Sequence, residues 1–339
     1  MPAAARHPRL LVVSPAFHGD WHALEDAFAR LGWEVATLRY DEHVRLSDKL
    51  AVKLRGELPR LVGRREDAAL AEAASRRART AVHTFHPDRV LVVKGDLLTD
   101  TFWDALDRPR VPRTIWLYDE LRRTRYTDAA LGRADAVASY SRQDCAALAA
   151  AGHRVLHVPL GFDTTTAFVP LHRGDVTFIG ARYPQRAALL EHLHRAGVPV
   201  RAFGRDWSHH WFDRGRTWRL TAPEFGTGRD LSREETYGVM AGGPATLNIH
   251  GDQDGFTMRT FEASGVGAVQ VVDRPDVAEF YDPDAEVAVF TSPEELVELA
   301  RRAIADDRWG DRLRAAARAR TLAEHTFVHR ARALATQWD

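Results

Sequence analysis

The amino-acid sequence predicts an α/β protein of two domains, each built on a parallel sheet covered by helices. The chain has 339 residues, and at roughly 150 residues per domain two domains are the default. Short β-branched runs alternate with helical patterns, which is typical of doubly wound folds. The runs are almost continuously apolar, because the strands of such a sheet have helices on both faces.

The strand pattern occurs twice along the chain. The first series comprises residues 10–13, 35–38, 90–93, 114–117, 136–139 and 155–158. The second series comprises residues 175–179, 199–203, 245–249, 268–272 and 286–290. Two Rossmann-like domains are therefore expected, at residues 1–163 and 167–325. The polar stretch at residues 161–166 is the predicted linker and hinge.

Several predicted helices begin at a side chain suited to capping the first turn. Ser292 is followed by a proline and two glutamates, which is a capping box with proline at the first helical position. Ser232 and Ser141 are expected to start helices in the same way. Gly152 is suited to end the helix that begins after Ser141, because glycine readily adopts a left-handed conformation.

Composition and charge exclude several functional classes. Lys and Arg number 47 and Asp and Glu also number 47, so no net field attracts nucleic acid, and a dedicated DNA-binding role is disfavoured. Cys145 is the only cysteine, which excludes an internal disulfide and favours a reducing, cytoplasmic location. No run approaches the roughly 20 apolar residues that span a bilayer. The sequence predicts a soluble protein with neither a nucleic-acid partner nor an integral membrane segment.

The segment from His250 to Gly265 carries the most specific functional signal. It follows a predicted strand, and ligands of doubly wound folds bind beyond the carboxyl ends of strands. Gly255 allows backbone amides to approach an anion closely. A helical run at residues 259–264 follows and ends at Gly265. The N-terminal amides and dipole of this helix suit a diphosphate, to which Arg259 adds a charged contact.

In this segment the chain resembles the group 1 glycosyltransferases and, more closely, the CgeB-like (spore maturation protein) glycosyltransferase family. That family has an acidic residue, seven intervening residues and a glutamate. Asp254 and Glu262 have this spacing, with Gly255 and Phe256 after the first acid and Ala263 after the second. The first acid of the family is normally glutamate, so Asp254 departs from the pattern.

The resemblance implies roles for the residues of this segment. Glu262 is expected to hold the ribose hydroxyls of a nucleotide-sugar, and Asp254 is expected to lie beside the sugar as a catalytic candidate. The residues expected to meet the donor are Gly255, Phe256, Thr257, Met258 and Arg259. The resemblance also implies a GT-B fold, whose two Rossmann-like domains have parallel sheets facing a central cleft and whose last helix, at residues 326–339, returns to the first domain.

Other strand ends of the second domain supply further predicted contacts to the donor. Residues 178–186 resemble the family's glycine-containing turn followed by basic residues, so Arg182 and Arg186 are expected to face the diphosphate. Gly204 and Arg205 follow a strand and are predicted to touch the nucleobase. His250 precedes the donor loop and is predicted to line the sugar pocket.

The first domain is expected to present the acceptor, since its strand ends also carry polar residues. Asp119 and His18 are the catalytic candidates there. Lys94 and Asp96 follow another strand, where they are expected either to contact the acceptor or to pair with each other.

Metal dependence is not expected. Asp252 and Asp254 form an Asp-x-Asp triplet, which in the other major glycosyltransferase fold holds a divalent cation on the donor. Two Rossmann-like halves argue against that fold. We therefore predict no metal site and no cofactor, with a nucleotide diphosphate-sugar as co-substrate.

The sequence thus predicts a glycosyltransferase that moves a sugar from a nucleotide diphosphate-sugar to a glycan, small-molecule or protein acceptor. The motif resembles that of retaining enzymes. One alternative keeps the fold and changes the reaction to that of a nucleotide-sugar epimerase or phosphorylase. Another is a non-catalytic surface or spore-coat assembly protein that retains a donor pocket, which the aspartate at position 254 favours.

Overall fold

The computed structural model describes residues 6–16, 19–42, 63–211, 213 and 223–338, with the backbone alone for 63–67. These residues form two compact units. The first unit contains the described residues up to Pro159 together with those from Arg330 onward. The second unit runs from Leu160 to His329.

The first unit is built on a six-stranded parallel sheet in the order β2-β1-β3-β4-β5-β6. Its strands are β1 (Arg9–Ser14), β2 (Glu34–Arg39), β3 (Arg89–Val93), β4 (Arg113–Leu117), β5 (Ala136–Ser139) and β6 (Val155–His157). The accompanying helices are α1 (Asp20–Arg30), α2 (Gly63–Phe85), α3 (Asp100–Asp107), α4 (Asp128–Leu131) and α5 (Arg142–Ala150). The middle strands β3, β4 and β5 are buried except for the first residue of β3 and of β4, as helices on both faces require.

The second unit also contains a six-stranded parallel sheet, in the order β12-β11-β10-β7-β8-β9. Its strands are β7 (Val176–Ile179), β8 (Val200–Phe203), β9 (Gly226–Gly228), β10 (Thr246–Asn248), β11 (Gln270–Val272) and β12 (Ala288–Val289). Its helices are α6 (Pro184–Arg195), α7 (Arg233–Gly242), α8 (Met258–Gly265), α9 (Pro293–Ala305) and α10 (Asp307–Glu324), and α11 (Phe327–Ala335) follows.

Each predicted strand overlaps an observed one, and the predicted α/β class with two parallel sheets is confirmed. Strand β9 was missed because its sequence is Gly-Thr-Gly, and glycine is depleted in strands. The capping serines are also confirmed. The hydroxyls of Ser141, Ser232 and Ser292 each accept a hydrogen bond from the amide three residues later.

The residues after Arg330 pack within the first unit. The indole of Trp338 stacks on Phe28 at 5.5 Å between ring centroids. Its Nε1 donates to Thr114 Oγ1 at 2.9 Å. A Trp side chain buries a large apolar area and needs a partner for its N–H, so this contact attaches the end of the chain to strand β4.

Candidate functional site

The strand order of the second sheet reverses between β7 and β10, and this topological switch point is where doubly wound folds bind ligands. The loops that leave these two strands are joined by Arg186 of helix α6. Its Nε donates to the Ile249 carbonyl at 2.8 Å and one Nη donates to the His250 carbonyl at 3.1 Å. The guanidinium therefore connects the turn after β7 to the start of the loop after β10, which we call the donor loop (residues 249–257).

Helix α8 begins directly after the donor loop. Thr257 is its N-cap, and the Thr257 hydroxyl accepts no hydrogen bond from the helix. Within the described part of the chain, the backbone N–H groups of residues 255–259 donate to no acceptor. Unsatisfied amides at a helix N-terminus, together with the helix dipole, form an anion site.

Arg259 and Glu262 form an ion pair one turn into helix α8. Arg259 Nη1 lies 2.5 Å from Glu262 Oε2, and the two side chains are 30% and 5% exposed. A buried carboxylate needs a charged or hydrogen-bonding partner, and Arg259 provides one. Both residues are predicted members of the donor site, and in the structure they are in direct contact.

Beneath helix α8 lies a buried polar network that connects strands β10 and β11 to the helix. Asn248 Nδ2 donates to Thr260 Oγ1 at 2.8 Å and to Gln270 Oε1 at 2.9 Å. Gln270 Nε2 donates to Ser264 Oγ at 2.9 Å and to the Thr260 carbonyl at 3.2 Å. These four residues are all buried. A buried polar network whose groups all have partners fixes one arrangement of the elements that it joins. This network therefore fixes the position of helix α8 on strands β10 and β11.

His250 extends this network toward strand β11. The side chain is buried, and its Nδ1 lies 2.8 Å from Asp273 Oδ1, while Nε2 lies 3.3 Å from Thr260 Oγ1. The backbone amide of His250 also donates to the Asp273 carboxylate at 2.9 Å. The imidazole thus supports the donor loop and helix α8 from within. Its predicted contact with the sugar stays a prediction.

Phe256 packs inward from the donor loop. It is 6% exposed and makes edge-to-face contacts with His250 and Phe280 at centroid distances of 5.1 and 5.4 Å. Edge-to-face aromatic pairs add to the stability gained from burial. The part of residue 256 that is presented outward is therefore its backbone rather than its ring.

Arg274, for which the sequence predicted no role, contacts the donor loop. Its Nη1 donates to the carbonyls of Gln253 and Asp254 at 2.9 and 2.7 Å. The guanidinium also lies 4.2 Å from the centroid of the Phe256 ring. One signal was available in the sequence, because Arg274 follows strand β11 by two residues and ends of parallel strands converge at one edge of a sheet.

The loops after β7 and β8 hold three further residues of the predicted site. A Cβ on Gly204, whose φ is +144°, would lie 2.8 Å from the Gly180 carbonyl oxygen, so the two loops approach closely only because this residue is glycine. The Arg182 guanidinium lies 5.4 Å from the Trp207 ring centroid. Arg205 is held by Asp230, with Nε and Nη2 at 3.0 and 2.8 Å from its carboxylate.

Met258, the first residue of helix α8, has its sulfur 4.0 Å from Arg233 Nη2. Arg233 pairs with buried Asp163 at 3.3 Å. Burial raises the pKa of Asp163, but hydrogen bonds from Thr165 and Thr166 and the charge of Arg233 outweigh it, so that the pKa lies below its ordinary value. Asp163 is therefore charged at neutral pH, and it anchors the arginine that lies beside the start of α8.

The first sheet also has a switch point, between β1 and β3. Lys94, directly after β3, has a left-handed backbone with φ of +60°. Its Nζ lies 2.6 Å from Asp119 Oδ2, and both side chains are more than one third exposed. The Asp96 carboxylate instead accepts from the Arg125 amide at 3.1 Å, so the expected alternative of a Lys94–Asp96 pair is replaced by Lys94–Asp119. His18 lies outside the described residues.

Two tyrosines support this strained turn, Tyr40, which is buried, and Tyr126, which is half-buried. Tyr126 donates from its hydroxyl to the Lys94 carbonyl at 2.6 Å, and the Gly95 amide donates to the Tyr40 hydroxyl at 3.3 Å. Burial raises the pKa of both phenols, so both stay protonated at neutral pH. A non-glycine residue held at positive φ by its surroundings is often found at a functional site.

The described residues contain no group of three or more His, Cys, Asp or Glu side chains arranged to hold a metal ion. None of the helices in that part of the chain combines the length and the apolar character needed to cross a membrane. A cavity of about 470 Å³ lies in the second unit between α6 and the start of α9, with Leu189, Asp273 and Phe290 among its lining residues.

A family model matches most of the second half of the chain. Residues 185–336 match the family model described as glycosyl transferase-like. This match includes the donor loop, helix α8 and Arg274. Among curated protein sequences no match was found.

Solved structures resemble the chain over almost its whole length. The structure of HepE from Anabaena, in complex with UDP and glucose, is 14% identical, with 98% of this chain and 99% of that chain covered and a TM-score of 0.63. Sucrose-phosphate synthase from Thermosynechococcus elongatus is 15% identical, with 98% of each chain covered and a TM-score of 0.62. A protein from Listeria monocytogenes that is described as a UDP-N-acetylglucosamine 2-epimerase is 12% identical, with 98% of this chain and 97% of that chain covered and a TM-score of 0.59.

These likenesses, at such low identity, concern the fold. With two parallel six-stranded sheets, the chain has the GT-B fold that the sequence analysis predicted. Proteins of one fold differ in reaction, as the sucrose-phosphate synthase and the epimerase among these structures illustrate.

Proposed function

We propose that this protein transfers a sugar from a nucleotide diphosphate-sugar to an acceptor. The observation that carries the proposal is the start of helix α8, where unsatisfied amides from residues 255–259 lie next to the Arg259–Glu262 pair. Amides and a helix dipole suit a diphosphate, and a carboxylate suits the hydroxyls of a ribose. The match of residues 185–336 to a glycosyl transferase-like family supports the same role.

Glu262 is proposed to accept hydrogen bonds from the ribose hydroxyls. Its charge is balanced by Arg259, which is 30% exposed and so reaches both the carboxylate and the solvent. The guanidinium is then available to a bound phosphate without leaving Glu262 unpaired. This arrangement extends the CgeB-like resemblance, in which the second acid of the motif has the ribose role.

Transfer requires that the nucleoside diphosphate leave with its electron pair while negative charge develops on its phosphate oxygens. Preorganised amides and cations at that position stabilise the transition state more than the ground state. We assign this role to the α8 amides and Arg259, with Arg182 as a further predicted cation. We therefore propose activity without a metal ion, and a retaining outcome because the motif resembles that of retaining enzymes.

Asp254 and Asp119 are the proposed catalytic carboxylates, with His18 as a further candidate. Asp254 belongs to the donor loop, and its backbone carbonyl is held by Arg274 at 2.7 Å. Asp119 carries its carboxylate at the end of β4, where it is 39% exposed and paired with Lys94. A general base must reach the proton that it removes, and the exposure of Asp119 allows an acceptor hydroxyl to approach it.

A thermal-shift titration with UDP, GDP, ADP, TDP and their glucose conjugates tests the proposal. A ligand at 100 times its dissociation constant stabilises the folded protein by about 2.7 kcal/mol, so the preferred nucleotide raises the melting temperature. We expect Glu262→Ala to lose most of this shift, because the ribose hydroxyls lose their acceptor. Glu262→Gln should keep part of it, since the amide oxygen still accepts.

Glu298→Ala is the matched control, because Glu298 is an exposed glutamate on helix α9 of the same unit. It should retain the full shift. If Glu262→Ala folds and binds as well as wild type, the ribose assignment is wrong. If wild-type protein responds to none of these nucleotides, the donor-binding proposal itself fails, and the non-catalytic alternative gains support.

The second candidate function is nucleotide-sugar epimerisation, which the likeness to a described UDP-N-acetylglucosamine 2-epimerase favours. The two reactions differ in their products. A transferase releases nucleoside diphosphate in proportion to the acceptor supplied, whereas an epimerase converts its nucleotide-sugar without an added acceptor. Proton NMR of UDP-N-acetylglucosamine and UDP-glucose with the protein alone distinguishes them, because epimerisation would shift the anomeric signal.

A further inference from the structure

Arg274 holds three successive carbonyl groups of the donor loop. Its Nη1 lies 2.9 Å from the Gln253 oxygen, 2.7 Å from the Asp254 oxygen and 3.5 Å from the Gly255 oxygen. The guanidinium therefore binds the loop through its backbone carbonyl groups.

The direction of these carbonyls determines the direction of the neighbouring amides. No cis peptide occurs in the described chain, and in a planar trans peptide the N–H points opposite to the C=O. The Asp254 and Gly255 carbonyls point at Arg274, so the N–H groups of Gly255 and Phe256 point away from it. The side of the loop opposite Arg274 thus presents amide donors that have no acceptor in the described part of the chain.

Two further contacts fix the guanidinium that orients the loop. It lies 4.2 Å from the centroid of the Phe256 ring, and that ring is itself buried against His250 and Phe280. On its other edge, Nε donates to the Asp276 carboxylate at 3.0 Å, and an Nη makes a second contact with the same carboxylate. A planar guanidinium with a bidentate partner and a stacked ring has little freedom to turn.

We propose that Arg274 is the positioning residue of the donor loop, holding the Gly255 and Phe256 amides outward so that they bind the diphosphate of the nucleotide-sugar. The inference rests on the proposed function, since it assigns the donor's diphosphate to this strip of amides. The positive charge of Arg274 behind the loop polarises the same peptide groups and strengthens their N–H ends. Helix α8 continues the strip with its own first amides.

Calorimetric titration of the full chain with UDP and with uridine tests this assignment, and if another base binds better, its diphosphate and nucleoside replace them. Arg274→Met keeps an apolar stem against Phe256 and removes the donors to the three carbonyls. We expect its affinity for the diphosphate to fall about tenfold, the equivalent of one charge-assisted hydrogen bond. Its affinity for the nucleoside should stay within about twofold of wild type.

Two variants serve as comparisons. Arg274→Lys retains a cation that reaches part of the carbonyl set, so it should restore part of the diphosphate affinity. Arg312→Met makes the same chemical change at an exposed position of helix α10 and should leave both affinities unchanged. A general structural defect would lower the diphosphate and nucleoside affinities together, which distinguishes it from lost positioning.

Hydrogen exchange of the ligand-free protein gives a second readout. If Arg274 orders the loop, peptides covering residues 253–257 should exchange faster in Arg274→Met than in wild type, while peptides of the β8 region stay unchanged. Equal diphosphate-to-nucleoside affinity ratios in wild type and Arg274→Met would overturn the proposal. If wild-type protein binds no nucleotide, the proposed function fails first and this assignment falls with it.

Discussion

The carboxyl edges of the two sheets differ in how their polar side chains are held. In the second unit, Asn248 and Gln270 are buried and bonded to helix α8. In the first unit, Lys94 and Asp119 form a pair that is more than one third exposed, on a backbone with positive φ at Lys94. In the second unit, the polar side chains at the sheet edge are buried and held in fixed positions. In the first unit, the sheet edge has charged side chains that are exposed at the surface.

This difference favours different kinds of ligand for the two units. A preorganised edge suits a ligand of constant shape, because fixed donors lose little freedom on binding. An exposed ion pair contributes little free energy, so its two side chains can rearrange around a bound ligand at a small cost in free energy. Under the proposed function, we therefore propose that the second unit binds the constant nucleotide part of the donor and that the first unit binds the variable acceptor.

Removing the buried network should produce the largest loss of stability. Gln270→Leu deprives Asn248 Nδ2, Ser264 Oγ and the Thr260 carbonyl of a partner each. Since an unsatisfied buried polar group costs about 1–3 kcal/mol, we expect a loss of about 3 kcal/mol in the free energy of unfolding, measured by urea denaturation. Gln185→Leu, at an exposed position of helix α6, is the control. Equal stability of both variants would contradict a preorganised edge.

The Asp163–Arg233 pair of the second unit should contribute an intermediate, pH-dependent amount. The pKa of Asp163 is lowered in the folded state, so its stabilisation is fully present above the unfolded pKa of about 3.9 and is lost as pH falls through the folded pKa. At pH 7, Asp163→Asn should cost about 2 kcal/mol, because charge-assisted hydrogen bonds are lost. In urea denaturation the difference from wild type should shrink at pH 3. A difference that is constant with pH would exclude the ionised carboxylate as its source.

The exposed pair of the first unit should give the smallest effect on stability. Asp119→Asn is expected to lower the free energy of unfolding by less than about 1 kcal/mol, because solvent screens the pair. Lys94→Gly loses the same pair but relieves the left-handed backbone, which offsets about 1 kcal/mol. Thermal unfolding of both variants checks this, and a loss above about 3 kcal/mol in either would remove the contrast between the two edges.

The organisation of the donor region could be predicted from the sequence to a large extent. Alternating patterns gave strand β10, the donor loop and helix α8, and the spacing of Arg259 and Glu262 places them on one helical face. Arg186 was predicted to face the diphosphate, which stays a prediction, whereas its hydrogen bonds to the Ile249 and His250 carbonyls were not predicted. Local pattern indicates that a charge is present and does not indicate which distant atoms it binds.

The sequence by itself determined the alternation of strands and helices, the capping serines and the position of the helix that starts at Met258, because these depend on residues within a few positions of one another. Only the tertiary structure decided which distant residues these side chains contact. Sheet order places β10 between β7 and β11, and this brings Arg186 and Arg274 to the donor loop and Gln270 to Asn248. Such contacts join residues tens of positions apart along the chain, so they arise from packing rather than from local preference.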